Sequence, residues 1–402
     1  MEVSLNGGKL VEMRPDRTHP LGMICRRGEH ARDIVYSKHR LTHPLKRLGS
    51  KGTYEFERVT WDEAYDTIAG KLNRIKEESG PEATAIYTGR GTFEASLCDM
   101  FQPKGVPVSS ASNVLFPFGS PNTMGVGALC YVSFAMIAPH VTMGRMLIDM
   151  FTDIENAEVL LVWGANPATD SPPLDMYRLE SAAKRGARII VIDPRRTETA
   201  QRTDARWIPI RPGTDGALAL GMIEVLIAED LLDEDFAANW CHGFTELKSY
   251  VQHFRPEVVE RATGVPADTV HELARIVANA ASACPVMYTG LEYSNTGIQA
   301  IRAVLTLFAL AGHLDMPGGV GLAMEGSHFP INRSCNQHNP NSEGAVARDR
   351  FPRYTYYRDE SHAAGLVDSV LQGEPYRLRT LIVHGASLLA AWPQTDMGRE
   401  TG

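Results

Sequence analysis

Two apolar runs, Val159-Leu160-Leu161-Val162-Trp163 and Ile189-Ile190-Val191-Ile192, flank a helix-patterned segment, at the spacing of a βαβ unit, about 30 residues. Neither run alternates apolar with polar residues, so each strand must be covered on both faces. The segment between them runs from about Pro173 to Arg185 and closes at Gly186. Strand, helix and strand in this span predict a parallel sheet with helices packed on it, an α/β fold.

The same rhythm extends both ways. Val3 to Leu5, Asn6-Gly7-Gly8 and Lys9 to Met13 read as a hairpin. Thr60-Trp61-Asp62-Glu63 is a capping box, and Ala64, Ile68, Leu72 and Ile75 continue it at helical spacing up to Gly80-Pro81. Ala83 to Thr88 reads as a buried strand, Ala217 to Ala228 and Thr296 to Gly312 as helices, and Pro285 to Thr289 and Arg379 to His384 as strands. Residues 318–360 show no apolar period and read as loops. The expected organisation is a small β-rich domain over 1–56, a discontinuous α/β domain from 57–154 and 326–402, and a second Rossmann-like α/β domain over 155–325.

Charge and cysteine usage narrow the function classes. A net charge of −8 does not suit a nucleic-acid partner, which needs a basic face. No stretch of about 18 uncharged apolar residues occurs, so no membrane-spanning helix is expected. The six cysteines, Cys25, Cys98, Cys130, Cys241, Cys284 and Cys335, are far apart and form no CxxC pair. Most therefore read as reduced buried thiols rather than a disulfide framework.

In open α/β sheets, ligands bind beyond the carboxyl ends of the strands. Three strand ends carry polar or glycine-bearing turns: Gly164-Ala165-Asn166-Pro167, Asp193-Pro194-Arg195-Arg196-Thr197, and Arg211-Pro212-Gly213-Thr214-Asp215-Gly216. Glycine admits a phosphate close to backbone N–H groups, an aspartate accepts from ribose or guanine, and an arginine pairs with pyrophosphate. Taken singly, each is also an ordinary βα turn or helix cap. No GxGxxG follows the first strand, which disfavours a nicotinamide dinucleotide, and no P-loop is present. Cys130 follows a run of small residues and is read at a helix start near Ala128, where the helix dipole would favour a thiolate nucleophile or soft-metal ligand. The bland alternative is an inert buried cysteine. Cys25, in Ile24-Cys25-Arg26-Arg27-Gly28, is open in the same way. Leu160-Leu161-Val162-Trp163-Gly164-Ala165-Asn166 is echoed by Leu381-Ile382-Val383-His384-Gly385-Ala386-Ser387.

Several blocks occur together in order: Ile24-Cys25-Arg26-Arg27-Gly28, Ile34 to Arg47, Phe56 to Ala64, Gly119-Ser120-Pro121-Asn122, Val162 to Pro167, Ile192 to Ala200, Ile210 to Leu218 and Leu307 to Gly319. This set resembles the catalytic subunits of the dimethyl sulfoxide reductase family of molybdopterin enzymes. The family includes formate dehydrogenases, nitrate, thiosulfate and polysulfide reductases, and acetylene hydratase. Gly119-Ser120-Pro121-Asn122 ahead of a cysteine looks closest to the thiosulfate or polysulfide reductases and acetylene-hydratase-like members.

The resemblance implies a molybdenum or tungsten bis-molybdopterin guanine dinucleotide cofactor. It implies Cys130 as protein ligand to the metal, and Cys25 as the last of four cysteines around a [4Fe–4S] cluster. Arg27 matches the cation between cluster and pterin. Gly164, Asn166, Asp193, Arg195, Thr197, Gly213, Thr214 and Asp215 match turns holding one guanosine diphosphate arm. Gly385 marks the turn for the second arm, where Ser387-Leu388 replaces the common Asn-Pro. The implied activity is two-electron or oxygen-atom transfer on a small-molecule substrate, with electrons passed to an iron–sulfur partner subunit. Two alternatives are a redox-neutral hydratase of the acetylene hydratase type and an inactive structural paralogue. Three upstream cysteines and a C-terminal barrel-like domain are expected beyond the two ends of the sequence. One consequence is measurable. Each iron of a cube needs a ligand, and Cys25 is the one candidate thiolate in the expected loop. The 402-residue chain is therefore expected to lack broad iron–sulfur absorbance in the visible region. A full cluster on that chain would refute the expectation.

Overall fold

The computed structural model describes residues 1–19, 22–24, 26–89, 115–130, 132–144, 150–169, 173–322, 339, 341–358 and 360–392. In chain order its strands are β1 (Glu2–Asn6), β2 (Lys9–Arg14), β3 (Leu45–Arg47), β4 (Phe56–Arg58), β5 (Thr84–Thr88), β6 (Asn122–Gly125) and β7 (Met150–Thr152). There follow β8 (Val159–Trp163), β9 (Arg188–Ile192), β10 (Arg206–Ile208), β11 (Ala283–Met287), β12 (Val320–Leu322) and β13 (Thr380–His384). The chain divides into two compact units, one from Met1–Ser37 with Ser133–Gly326, the other from Lys38–Val132 with Ser327–Gly402.

The first unit is built on four parallel strands in the order β10-β9-β8-β11. Leu160 to Trp163 and Ile190 to Ile192 are wholly buried, as the uninterrupted apolar runs require. The chain steps from β8 to β9 through helix Pro173–Arg185. It returns to the other side of β8, as β11, after five helices between Asp215 and Asn279. Pro285 is accommodated because β11 is an edge strand, where a missing N–H breaks no ladder. Helix Asp215–Ala228 buries Leu218, Ala219, Met222, Ile223, Val225 and Leu226, and helix Gly297–Leu310 is buried along most of its length. Both are apolar around nearly their whole circumference, as expected of a core helix. Residues 133–154 also belong to this unit, upstream of the boundary read at 155, because Phe134, Ala138, Met150 and Ile154 join its core. The antiparallel pair β7 and β12 closes it. The β1–β2 hairpin forms as read, with Gly7 and Gly8 both at positive φ, the geometry of a tight two-residue turn.

The second unit carries a three-stranded parallel sheet in the order β13-β5-β6. Thr60 caps helix Trp61–Ser79, its Oγ1 accepting from the Glu63 N–H at 3.2 Å. That helix buries none of its described side chains, and Ile68 is 53% exposed, although its apolar spacing reads as a core face. Two elements depart from the sequence reading. Asn122 to Gly125, in the run of small residues ahead of Cys130 where no strand is expected, is a fully buried strand, held by side-chain hydrogen bonds that hydropathy does not register. Asn122 Nδ2 donates to the Glu82 carbonyl at 2.7 Å and to Tyr376 Oη at 2.9 Å, while its Oδ1 accepts from the Val346 N–H at 3.0 Å. Ser120 Oγ donates to the Thr84 carbonyl at 2.6 Å. Within 318–360, read as loops, the structure forms β12, a 3-10 turn at Ser342–Gly344 and helix Pro352–Arg358. The buried positions of that helix include Tyr354 and Thr355, so no aliphatic period betrays it.

Among the described residues no helix is long and apolar enough to cross a membrane, and no closed barrel forms. The burial pattern gives a direct test by chemical denaturation. Leu161→Ala, in a strand paired on both sides and fully buried, is expected to cost about 2–5 kcal/mol through lost transfer energy and a residual cavity. Ile68→Ala, on the exposed helix face, is expected to cost less than about 1 kcal/mol. Equal losses would contradict the assigned cores.

Candidate functional site

In the first unit the predicted turns converge at the carboxyl ends of β8, β9 and β10. Gly164 follows β8 at φ +58, and an added Cβ would stand 2.5 Å from Leu291 Cδ1 and 3.0 Å from the Leu291 nitrogen. Glycine is therefore required by packing as well as by backbone geometry. The Gly290 N–H donates to the Gly164 carbonyl at 3.0 Å, which locks the ends of β8 and β11 together.

Asn166 is fully engaged within the protein. Its Nδ2 donates to Thr169 Oγ1 at 2.6 Å and Glu198 Oε2 at 2.8 Å, and its Oδ1 accepts from the N–H and Oγ1 of Thr199 at 3.1 and 2.7 Å. It thus ties the turn after β8 to the turn after β9. Thr197 is buried and caps helix Glu198–Arg202, its Oγ1 accepting from the Ala200 N–H. Arg195 is exposed and paired with Glu198 at 3.2 Å. The Glu198 carboxyl is pulled down to about 2 by its own backbone N–H, then by Arg195 and Asn166. Glu198 and Thr199 lie in the Ile192 to Ala200 block but receive no role from sequence, because a Thr-Glu-Thr run looks like any helix start.

Two aspartates behave in the opposite way. Asp193 Oδ1 accepts from the Arg195 N–H at 3.0 Å, yet burial raises the Asp193 carboxyl above its usual range. Asp215 opens helix Asp215–Ala228 and is 7% exposed. Its carboxyl is also raised, first by burial and further by the Asp193 charge. Trp163, the last residue of β8, donates its Nε1–H to Asp215 Oδ1 at 2.9 Å, a partner not visible from sequence spacing. Gly213 takes φ +78. Thr214 turns its hydroxyl back to the Arg211 carbonyl at 2.7 Å and leaves the helix without a side-chain cap. Thr296 Oγ1 donates to the Gly213 carbonyl at 3.4 Å, so the 292–297 segment backs this turn.

In the second unit the paired strands β5 and β13 end in Gly89 and Gly385. The Gly89 N–H donates to the His384 carbonyl at 2.8 Å, and a Cβ on Gly89 would collide with the Gly385 carbonyl. The echo in sequence is thus an echo in structure: β13 and β5 meet through glycine backbones as β8 and β11 do.

Cys130 stands differently from its expected place. Val126–Leu129 is a 3-10 turn, and Cys130 lies at its C-terminal end with extended backbone, φ −155 and ψ 156. A π-helix, Val132–Ile137, comes next. The expected helix start near Ala128 is thus a 3-10 turn, and the longer helical segment opens at Val132, two residues past Cys130. Cys130 is half-buried. The nearby Tyr87 phenol is raised above its ordinary value by burial and then by the charges of Cys130 and Glu360. Cys25 lies outside the described residues, and of Arg27 only the backbone is described, in the short helix Arg26–Glu29.

The residues fit a nucleotide arm and a soft metal ligand. A buried and a half-buried carboxylate accept from O–H or N–H donors, an exposed guanidinium pairs with phosphate, and a half-buried thiol suits a soft metal. Among the described residues no group of three or more His, Cys, Asp and Glu is placed to hold a metal by protein ligands alone.

The molybdopterin oxidoreductase family model matches residues 40–364. The chain is 32% identical to dimethyl sulfoxide reductase DmsA of Escherichia coli over 340 residues, 79% of this chain and 41% of that protein. It is 34% identical to acetylene hydratase of Syntrophotalea acetylenica over 299 residues, 74% of this chain and 39% of that protein. It therefore spans about two-fifths of the length of these curated relatives. Among solved structures it resembles acetylene hydratase from Pelobacter acetylenicus, with a TM-score of 0.83 and 26% identity over all of this chain and 57% of that one. The chain belongs to the molybdopterin oxidoreductases of the dimethyl sulfoxide reductase family.

Proposed function

We propose that this chain forms the part of a molybdenum or tungsten bis-pterin oxidoreductase that binds one guanosine diphosphate arm and presents Cys130 to the metal. The observation that carries the first role is the pair of carboxylates, half-buried Asp193 and buried Asp215, with Arg195 at neighbouring strand ends. Asp215 is held by Trp163 so that its carboxylate cannot swing, and it accepts from the N–H edge of guanine. Asp193 accepts from ribose hydroxyls. Arg195 exchanges Glu198 for pyrophosphate oxygens, while Asn166 and Thr197 keep their structural bonds and fix the turns. Gly213 and Thr214 shape the approach to Asp215, and Gly385 takes the corresponding position for the second arm.

When bound, the metal–pterin group supplies two-electron or oxygen-atom transfer. The thiolate of Cys130 contributes one soft anionic ligand. Cys25 contributes one ligand of a [4Fe–4S] cluster, and Arg27 the cation beside it, with electrons passing to an iron–sulfur partner. The presence of F420-dependent formate dehydrogenase subunit alpha among the relatives supports a place in a multi-subunit assembly. A second reading keeps the cofactor and replaces electron transfer by hydration, and the likeness to acetylene hydratase favours it. A redox-dye assay separates the two, since hydration passes no electrons.

Two outcomes are expected. In the cofactor-loaded protein, Cys130→Ala keeps the pterin and loses turnover, and wild-type turnover would remove Cys130 from the metal. In the unliganded chain, Asp215→Asn holds or raises the melting temperature at neutral pH. A raised carboxyl means that its charged form is disfavoured by folding, so its own contribution to stability grows as pH falls through the folded value. The amide carries no charge to desolvate and still accepts from Trp163. By calorimetric titration the same variant should lose the preference for GDP over ADP, by about tenfold or more for a lost hydrogen bond to a charged acceptor. An unchanged preference would exclude Asp215 as the guanine reader.

A further inference from the structure

The turn that follows β11, residues 288–297, touches two of the three turns at the ligand edge of the first unit. The Gly290 N–H donates to the Gly164 carbonyl at 3.0 Å, and the wholly buried Leu291 leaves Gly164 no room for a Cβ. Thr296 Oγ1 donates to the Gly213 carbonyl at 3.4 Å, two residues before Asp215. Within the turn, the Tyr293 N–H donates to the Thr289 carbonyl at 3.2 Å, and the Ser294 N–H to the Glu292 carbonyl at 2.8 Å. A Cβ on Gly297 would collide with that same carbonyl, so the start of helix Gly297–Leu310 packs directly on Glu292. Residues 288–297 are thus braced from within and at both ends.

The turn also grips a second helix. Glu292 is only 8% exposed, and its Oε2 accepts from the Phe134 N–H at 3.1 Å. The buried Phe134 ring meets Tyr288 edge-on, with centroids 5.8 Å apart and planes at 74°. Phe134 stands in the π-helix Val132–Ile137, which runs straight into helix Ala138–Met143. The first N–H groups of a helix lack intrahelical acceptors, and a carboxylate beside them is favoured by the dipole. Most helices meet this need with a serine, threonine or aspartate next to their own first turn. Here the acceptor comes from 158 positions along the chain, and burying a carboxylate carries a desolvation cost that an exposed local cap avoids. A remote acid does one thing that a local cap cannot: it joins the helix to another segment.

We propose that Glu292 is a positioning residue that couples the guanosine-arm turns to the helix opening at Val132, two residues past Cys130 in the chain. The inference rests on the reading of the Gly164 and Gly213 turns as part of the guanosine site. A ligand held there restrains Gly213 and Asp215. The restraint passes through Thr296 and Gly290 into the braced turn, and through Glu292 and Tyr288 to Phe134. Filling the arm site therefore firms the start of the helix that follows Cys130.

The test is peptide-resolved amide hydrogen exchange on the full 402-residue chain, with and without GDP. In the wild type, GDP should slow exchange of the peptide containing Phe134 by about fivefold, the equivalent of one neutral hydrogen bond. Glu292→Ala should speed that peptide about tenfold without ligand, as loss of a bond to a charged acceptor would, and should abolish its response to GDP. Because coupling is reciprocal, GDP affinity in this variant should fall by about the same fivefold and no more. Exchange in helix Ala267–Asn279, which shares no bond with Glu292, should be unchanged and reports that the variant is folded. Glu292→Gln, whose amide oxygen still accepts from Phe134, should keep the response to GDP within about twofold of wild type. If GDP protects the peptides over 164–169 and 211–216 but leaves the Phe134 peptide unmoved in the wild type, the coupling is refuted and the guanosine reading stands. A full GDP response in Glu292→Ala equally overturns the role of Glu292. If GDP protects none of these peptides, the guanosine reading fails and the coupling falls with it.

Discussion

Parallel pairing of strands buried on both faces is the constraint on which the rest of the fold depends. A parallel strand cannot be closed by a hairpin, so each one in the first unit must lead into a crossover, and every carboxyl end falls on the same edge. The apolar interior of β8 and β9 admits no polar side chain, so the polar residues of this region are pushed into the turns at that edge. The chain order leaves β8 with β9 on one side and β11 on the other, which is where a crevice opens in such sheets. The cofactor reading is thus seated in topology before any single residue is considered.

The turns at that edge carry a division of labour. Asn166, Thr197, Glu198 and Thr199 satisfy one another and hold shape. Asp193 and Asp215 do the reverse: both are kept in surroundings that disfavour their charge. A buried carboxylate is costly unless its acceptor sites are filled, and the donors that folding brings to these two fill them only in part. Such groups are where binding energy is most readily recovered by a donor ligand.

The second unit solves a different problem, the placing of one half-buried thiol on a short turn. Ser120 and Asn122, in the block Gly119 to Asn122 ahead of Cys130, are themselves wholly buried. They bind three separated segments, Glu82 to Thr84, Val346 and Tyr376. Their part is to anchor β6, and the cysteine turn inherits its position from that anchor. The motif ahead of Cys130 is here part of the scaffold of β6.

The sequence by itself determined the α/β class, the βαβ unit, the glycine hairpin, the helix cap at Thr60 and the family. Each of these is encoded locally, in apolar runs, capping pairs or ordered blocks read along the chain. It also marked the turns at Gly164, Asp193 and Gly213, because polar residues after an apolar strand have few other places to go. Only the tertiary structure decided that Trp163 holds Asp215, that Glu198 occupies Arg195 and Asn166, and that Asn122 to Gly125 is a strand. These contacts join residues up to 254 positions apart or depend on side-chain hydrogen bonds. Hydropathy and spacing record what a residue prefers to bury, whereas the identity of a hydrogen-bond partner is fixed by where the sheet brings distant segments together. The same reason set Cys130 between a 3-10 turn and the helical segment from Val132: small residues permit several conformations, and the packing of β6 and its neighbours selects one.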